Sequence, residues 1–308
     1  MYKYDHFMTR EISLYEAIYL RYSVRKYQDR AIEREKLDRV LHFTPDSLSD
    51  GNVKFIPLDG DTMRKNIEKA ASVNVEKFFN TVKLFNAPTY FVMVANETPH
   101  FMFETGYRGE QAILAATSLG LGTCWIGELF AEDKIRALLD CDARERVIAL
   151  SPIGYASKSI VDNAVNGLVR RVAGSVKRKP IHEIVFAERY GNPMYSFSGE
   201  YSRWEKVFNA VRVAPSWANY QPWRFVVSGD SVYTVVVPPR DKQGFEGSQI
   251  KSGMDYSLLD MGIAMSHFTI ACKAEGIKGN WVLFGNDKSE ARLKLQIPEE
   301  DRLIAVWK

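Results

Sequence analysis

The chain is poor in the residues that announce some of the commonest chemistries. Three cysteines, Cys124, Cys141 and Cys272, are odd in number and lack metal-ligand spacing, which argues against a disulfide framework and a zinc motif. Their apolar surroundings predict buried thiols in a reducing cytoplasm. Of the five histidines, His100, His182 and His267 form no convincing triad or metal set with a neighbour. Charge of one sign is lacking too: 41 basic against 38 acidic residues leave +3, too little to argue for nucleic acid or an anionic membrane surface. No membrane-spanning run stands out, since a span needs roughly 20 mostly apolar residues. The uncharged stretch Gln111 to Gly127 is broken by Gly120, Gly122 and Gly127. Met1 to Arg10 has no apolar region of the secretory kind. No Gly-x-Gly-x-x-Gly follows a strand, which argues against a Rossmann nicotinamide site.

What is present is an ordinary globular composition, 46% hydrophobic and 26% charged, organised by an internal repeat. Gly262 stands 156 positions after Gly106. The same offset superposes Ala115 on Ala271, Gly120 on Gly276, Trp125 on Trp281, Arg136 on Arg292 and Leu139 on Leu295. It runs on into Arg146-Val147-Ile148-Ala149 and Arg302-Leu303-Ile304-Ala305. One ungapped register through helix, glycine loop and strand points to two copies of one unit.

Each copy reads alike. Glu104 to Leu119 and Asp260 to Glu275 are apolar nearly all round, so they are expected as central helices, each stopped by a glycine. Val147 to Gly154 and Leu303 to Trp307 are expected as apolar strands. Upstream, Ser13-Leu14-Tyr15-Glu16 predicts a capping box opening a helix that runs to about Tyr22. A second helix, about Glu33 to His42, carries Leu37, Val40 and Leu41 on one face. Ala87 to Ala95 reads as a buried strand, and Phe225 to Val237 as a hairpin turning at Ser228-Gly229-Asp230. Tyr190-Gly191-Asn192-Pro193 is turn-rich and is the expected boundary, giving copies at 1–190 and 191–308. Central helices with hairpin-connected strands make the fold class α+β.

Two motifs carry chemistry. Arg21-Tyr22-Ser23-Val24-Arg25-Lys26-Tyr27 closes the first helix with planar donors and a hydroxyl, a set suited to a phosphate dianion. Taken alone, a basic helix end satisfying its own dipole is the commoner explanation. Ala214-Pro215-Ser216-Trp217-Ala218-Asn219-Tyr220-Gln221-Pro222-Trp223-Arg224-Phe225 places small and polar residues between stiffening prolines just before a strand. Such a loop can offer backbone and amide hydrogen bonds to the edge of a flat heterocycle, or it can be a structural turn plugged by a tryptophan.

Together the motifs resemble the FMN-dependent nitroreductase family, with its Arg-x-Ser-x-Arg arm and Ala-Pro-Ser-x-x-Asn-x-Gln-Pro-Trp-x-Phe loop. Leu119-Gly120-Leu121-Gly122-Thr123-Cys124-Trp125-Ile126-Gly127 is similar to the family's glycine-rich segment. Lys177-Arg178-Lys179-Pro180-Ile181-His182-Glu183-Ile184-Val185 is similar to its basic tail. In the family one subunit of a dimer supplies arm and tail and the other supplies the loop. Here the first copy has arm and tail, while its loop position reads Thr44-Pro45-Asp46-Ser47-Leu48-Ser49-Asp50-Gly51-Asn52. The second copy has the loop but neither arm nor tail. These complementary losses imply a covalent pseudo-dimer, a monomer with a single FMN.

The resemblance assigns roles residue by residue. Arg21, Ser23 and Arg25 would hold the FMN phosphate, with Arg178 or its neighbours Lys177 and Lys179 closing the cradle. Pro215, Ser216, Trp217 and Asn219 would reach the isoalloxazine or ribityl from the second copy. Gln221, with Trp223, would brace that loop. The backbone of Ile126, Gly127 and Glu128 would face the flavin N5 edge, with Glu128 either shaping the substrate side or lying at the surface; Trp125 and Trp281 are expected in the core. No general acid or base is named, because flavin carries the hydride chemistry. The implied activity is ping-pong reduction of a nitroaromatic, a quinone or a related small acceptor by NADH or NADPH. A flavin carrier without turnover and a cofactor-free structural pseudo-dimer are the alternatives.

Overall fold

The computed structural model describes residues 12–43, 45–49, 52–60, 65–67, 87–127, 130–139, 141–157, 178–238, 253–285 and 288–308. Contacts divide the chain into two compact units. Unit 1 comprises Met1–Phe101 and Arg108–Val176; unit 2 comprises Met102–Tyr107 and Lys177–Lys308. The contact division falls before Lys177. The reason is local pairing: the strand at Val185–Ala187 bonds to a strand of unit 2, and Met194 N–H donates back to Val185 O at 2.9 Å. The stretch Tyr190 to Pro193 is thus an internal turn of unit 2.

In unit 1, α1 (Leu14–Leu20) opens on the expected capping box, with Ser13 and Glu16 exchanging bonds between side chain and backbone. Helix α2 (Arg34–Leu41) buries Leu37 and Val40 on one face. Strands β1 (Val53–Asp59) and β2 (Thr89–Asn96) pair antiparallel, and β2 pairs with β5 (Glu145–Gly154). Helix α3 (Phe101–Ser118) lies between β2 and β3 (Gly122–Thr123) in the chain. Both β3 and β4 (Ile126–Gly127) pair with β5, and α4 (Glu132–Arg136) leads into β5. The order is β1-β2-β5-β3, with β4 also on β5. β2 is buried along all but its last residue and the ten-residue β5 along all but its second, as apolar runs at the middle of a sheet require.

Unit 2 begins with the single turn α5 (Ile181–Ile184), running into β6 (Val185–Ala187). After a 3₁₀ turn at Gly199–Trp204 comes α6 (Glu205–Arg212), and then the loop ending at β7 (Trp223–Ser228). β7 turns into β8 (Ser231–Val236), as the Gly229-Asp230 turn demands. Helix α7 (Tyr256–Ala274), β9 (Trp281–Leu283), α8 (Ser289–Leu295) and β10 (Arg302–Trp307) complete it. The sheet order is β6-β7-β8-β10-β9, antiparallel except for β6 on β7. Its core is aromatic: Phe268 of α7 packs against Trp204, Phe208, Trp281 and Trp307 at ring-centroid separations of 5.6, 5.7, 4.9 and 5.4 Å.

The two sheets repeat one plan. Removing β6 leaves β7-β8-β10-β9, the counterpart of β1-β2-β5-β4. Helices α3 and α7 begin three to four residues earlier than the apolar pattern predicts, starting at Phe101 and Tyr256. Both end before a left-handed glycine, Gly120 at φ 77° and Gly276 at φ 69°. Within unit 2, Met102–Tyr107 lies against α7 with no room for side chains at the crossing. A methyl group on Gly106 would stand 2.0 Å from Leu259 O, and one on Gly262 would stand 2.0 Å from Phe103 O. The contact is reciprocal under the 156-residue offset.

Two smaller expectations are corrected. Cys124 and Cys272 are buried, but Cys141 is only partly so. Trp125 and Trp281 are half-buried, because each turns its indole N–H to the central helix: Trp125 Nε1 to Glu110 Oε2 at 2.6 Å, Trp281 Nε1 to Thr269 Oγ1 at 2.9 Å. Among the described residues no helix is long and apolar enough to cross a membrane.

Candidate functional site

In unit 1 the arm leaves α1 and runs along the glycine-rich segment. Ser23 bridges to Thr123, and Val24 N–H donates to Thr123 O at 2.9 Å. Gly122 permits this approach, since a β-carbon there would come within 2.6 Å of Val24 Cγ2. Tyr27 fastens the far end, its hydroxyl donating to Val24 O at 2.9 Å and to Pro152 O at 3.3 Å. Burial pushes the Cys124 thiol up, while Arg25, Arg21 and a hydrogen bond from Ser23 oppose that shift. Arg21 is buried and pairs through Nε with Glu110 Oε1 at 3.6 Å; Arg25 is exposed.

Ile126 and Gly127 form β4 on β5. Glu128 and Lys177 lie outside the described residues.

In unit 2 the tail and the loop come together. Arg178 donates from Nη1 to Ala214 O at 2.6 Å and from Nη2 to Val213 O at 3.1 Å. Lys179 N–H donates to Gln221 Oε1 at 2.9 Å, and its ammonium donates to Gln221 O at 3.3 Å. The Lys179 ammonium also lies 5.5 Å from the centre of the Tyr220 ring. Burial, and then the Arg224 guanidinium nearby, hold Lys179 down at about 8, with Glu183 acting the other way.

The loop's backbone is strained. Ala218, Asn219 and Gln221 have φ of 45°, 61° and 54°, values that residues with a β-carbon seldom adopt. Such a conformation persists only if its surroundings over-determine it, and here they do. Gln221 N–H donates to Ser216 Oγ at 2.9 Å, and Gln221 Nε2 donates to Asn219 O at 3.0 Å. Asn219 N–H donates to Ser216 O at 3.0 Å. Arg224 Nη1 holds Trp223 O at 2.6 Å and Gln221 O at 3.1 Å. From α7, both carboxyl oxygens of Asp260 accept from Trp217 N–H at 3.1 Å. Gln221 and Trp223 are buried, as the bracing role requires, while Pro215, Ser216, Trp217 and Asn219 keep partial exposure.

Sequence reasoning missed Glu110, Asp260 and Arg224. The first two had a visible signal: each is an acid on a helix otherwise apolar nearly all round, where a charge needs a partner. Arg224 had none, because arginine in a strand is usually a surface residue.

Taken unit by unit, the donors suit separate parts of FMN. Two guanidinium groups and a hydroxyl suit a phosphate dianion, and a rigid loop with partly exposed Ser216 and Asn219 suits the polar edge of a flat ring.

Comparison with known proteins agrees with this reading of the family. A family model described as "Putative TM nitroreductase" matches residues 13–272. A protein of Methanothermobacter thermautotrophicus named "Putative NADH dehydrogenase/NAD(P)H nitroreductase" is 28% identical over 160 residues, 48% of this chain and 80% of the relative. A crystal structure of a Thermotoga maritima protein described as a "putative nitroreductase" matches at a TM-score of 0.56 and 16% identity. It covers 97% of this chain and 94% of the other, a likeness of fold.

Proposed function

This chain belongs to the nitroreductase family whose model spans residues 13–272, and on that premise we propose that it is an FMN-dependent NAD(P)H oxidoreductase with one cofactor site. The observation that carries the proposal is the tail docked on the strained loop. Arg178 and Lys179 reach the loop carbonyls, while Ser216 and Asn219 keep partial exposure. A mere turn has no use for three left-handed residues with side chains, held by bonds from four directions.

In this reading the chain is a covalent pseudo-dimer. Its support is the repeated sheet plan and the reciprocal glycine crossing of Gly106 and Gly262. Arg21, Ser23 and Arg25 bind the phosphate, with Lys177, Arg178 and Lys179 adding charge. Pro215, Ser216, Trp217 and Asn219 orient the ring, Gln221 fixes them, and the backbone at Ile126, Gly127 and Glu128 faces its reactive edge. FMN, when bound, supplies the two-electron chemistry. The chain's own residues bind, orient and exclude water. The relative's name pairs NAD(P)H with nitroreduction, which supports a nicotinamide donor and a small acceptor such as a nitroaromatic or quinone.

An absorption spectrum followed by anaerobic titration tests this. The expected result is a yellow protein bleached by NADH or NADPH and recoloured by a nitroaromatic. Colour that neither nucleotide bleaches would support the carrier alternative, and protein that takes up no FMN would leave only the structural pseudo-dimer.

A further inference from the structure

We propose that Asp260 is a positioning residue for the cofactor loop, fixing the backbone at Trp217 and through it the placing of Asn219. Asp260 is 1% exposed and sits in the second turn of α7, a helix buried along sixteen residues from Tyr256 to Cys272. Its two oxygens converge on one donor, the Trp217 N–H, at 3.1 Å each. The left-handed pair Ala218 and Asn219 follows directly. Arg178 attaches before Pro215, Ser216 braces through its own hydroxyl, and Lys179 and Arg224 attach on Gln221 and beyond. Asp260 thus holds the entry to the strained turn from beneath, and it does so from the rigid centre of the unit.

The chemistry of the acceptor sharpens the test. Burial pushes the Asp260 carboxyl well above its ordinary range, and the charge of Asp255 adds to this, while the bond from Trp217 opposes it. A neutral carboxyl still offers a carbonyl oxygen, and so does a carboxamide. Asp260→Asn therefore preserves the anchor, Asp260→Ala deletes it, and Asp260→Leu deletes it while keeping the volume.

Amide hydrogen exchange of the ligand-free protein reads the anchor directly. Exchange at Trp217 to Gln221 is expected to accelerate about tenfold in Asp260→Ala and Asp260→Leu, the equivalent of about 1.4 kcal/mol, with β7 and β8 protected as before. Asp260→Asn is expected to match the unsubstituted chain. Dissociation constants for FMN should follow the same order, weaker by about tenfold for Ala and Leu and near-native for Asn. Unchanged exchange in Ala and Leu would overturn the assignment. So would a general loss of protection through α7, β7 and β8, which would make Asp260 a part of the core at large. The FMN arm alone rests on the cofactor reading: if the unsubstituted chain takes up no FMN, that reading fails, while the exchange result still decides the role of Asp260.

Discussion

Each of the two units carries a loop after a helix, α2 in one and α6 in the other, and the loops have opposite characters. Each is tied by a backbone N–H to a side chain of its central helix: Asp46 to Gln111 Oε1 at 2.9 Å, Trp217 to Asp260 at 3.1 Å. There the likeness ends. Among the described residues the first loop has no left-handed residue with a side chain, and its Asp46 and Ser47 are exposed. The second has three such residues and is braced by Ser216, Gln221, Arg178, Lys179 and Arg224. The lesson is that strain and bracing occur together, and that they occur in the unit whose loop carries the Ala-Pro-Ser-x-x-Asn-x-Gln-Pro-Trp motif.

The largest expected effect falls on what the copies share. Gly106→Ala and Gly262→Ala each drive a methyl group to 2.0 Å from a carbonyl oxygen of the crossing helix. Backbone on both sides must shift, so each should lower stability by more than about 4 kcal/mol or prevent soluble expression. Thermal melts of the two variants should agree. A mild effect from either would break the reciprocity on which the pseudo-dimer reading rests.

Next comes a contrast between the loops themselves. Gln221 is 2% exposed, and Gln221→Ala strips partners from Asn219 O and Lys179 N–H; chemical denaturation should show a loss of about 2–4 kcal/mol. Gln111 is also buried, and Gln111→Ala removes a comparable pair of bonds to Asp46, but Asp46 is exposed, so its backbone groups are expected to find water. About 1 kcal/mol is expected there. Equal losses would mean that the second loop's bracing has no special weight.

How much of this was legible in the sequence follows from physical range. The capping box at Ser13, the hairpin at Gly229-Asp230 and the strand at β5 are local or periodic, and local rules reach them. The apolar pattern placed α3 and α7 but started both late, because Phe101 to Phe103 and Tyr256 to Leu259 show no break that periodicity can read. The turn-rich sequence at Tyr190 marks a turn, and only the pairing of β6 on β7 says to which contact unit it belongs. Gln221 as a brace was legible from its place between prolines. Asp260 and Glu110 were not assigned, since their partners lie far along the chain, and Arg224 carries no mark that separates it from a surface arginine.

Binding experiments sharpen the comparison further. Arg21→Ala and Asn219→Ala are each expected to weaken FMN binding by about tenfold, the loss of about 1.4 kcal/mol, although they belong to different copies. Asn219→Gly separates conformation from contact, because glycine accepts φ 61° without cost. It should keep the loop's melting behaviour while losing the amide's share of the affinity. If fluorescence titration shows only one of Arg21→Ala and Asn219→Ala to matter, the two copies do not serve one cofactor.

The smallest effect tests the tail. Burial and Arg224 hold Lys179 down at about 8, below its unfolded value, so charging it opposes folding. Between about pH 8 and the unfolded lysine value the unfolded chain binds the extra proton, and the ligand-free protein should gain stability as pH rises through that window. FMN affinity should move the other way. A bound phosphate favours the charged ammonium, so affinity is full below about pH 8 and falls as the proton leaves, by less than tenfold because Arg178 and Arg224 stay charged. Subtracting Lys179→Met from the unsubstituted chain isolates both slopes from the other titrating groups. Opposite signs in the two difference curves would place the phosphate within reach of the Lys179 charge. A rise in stability without a fall in affinity would leave Lys179 as a brace on Gln221 alone, and the phosphate to the arm.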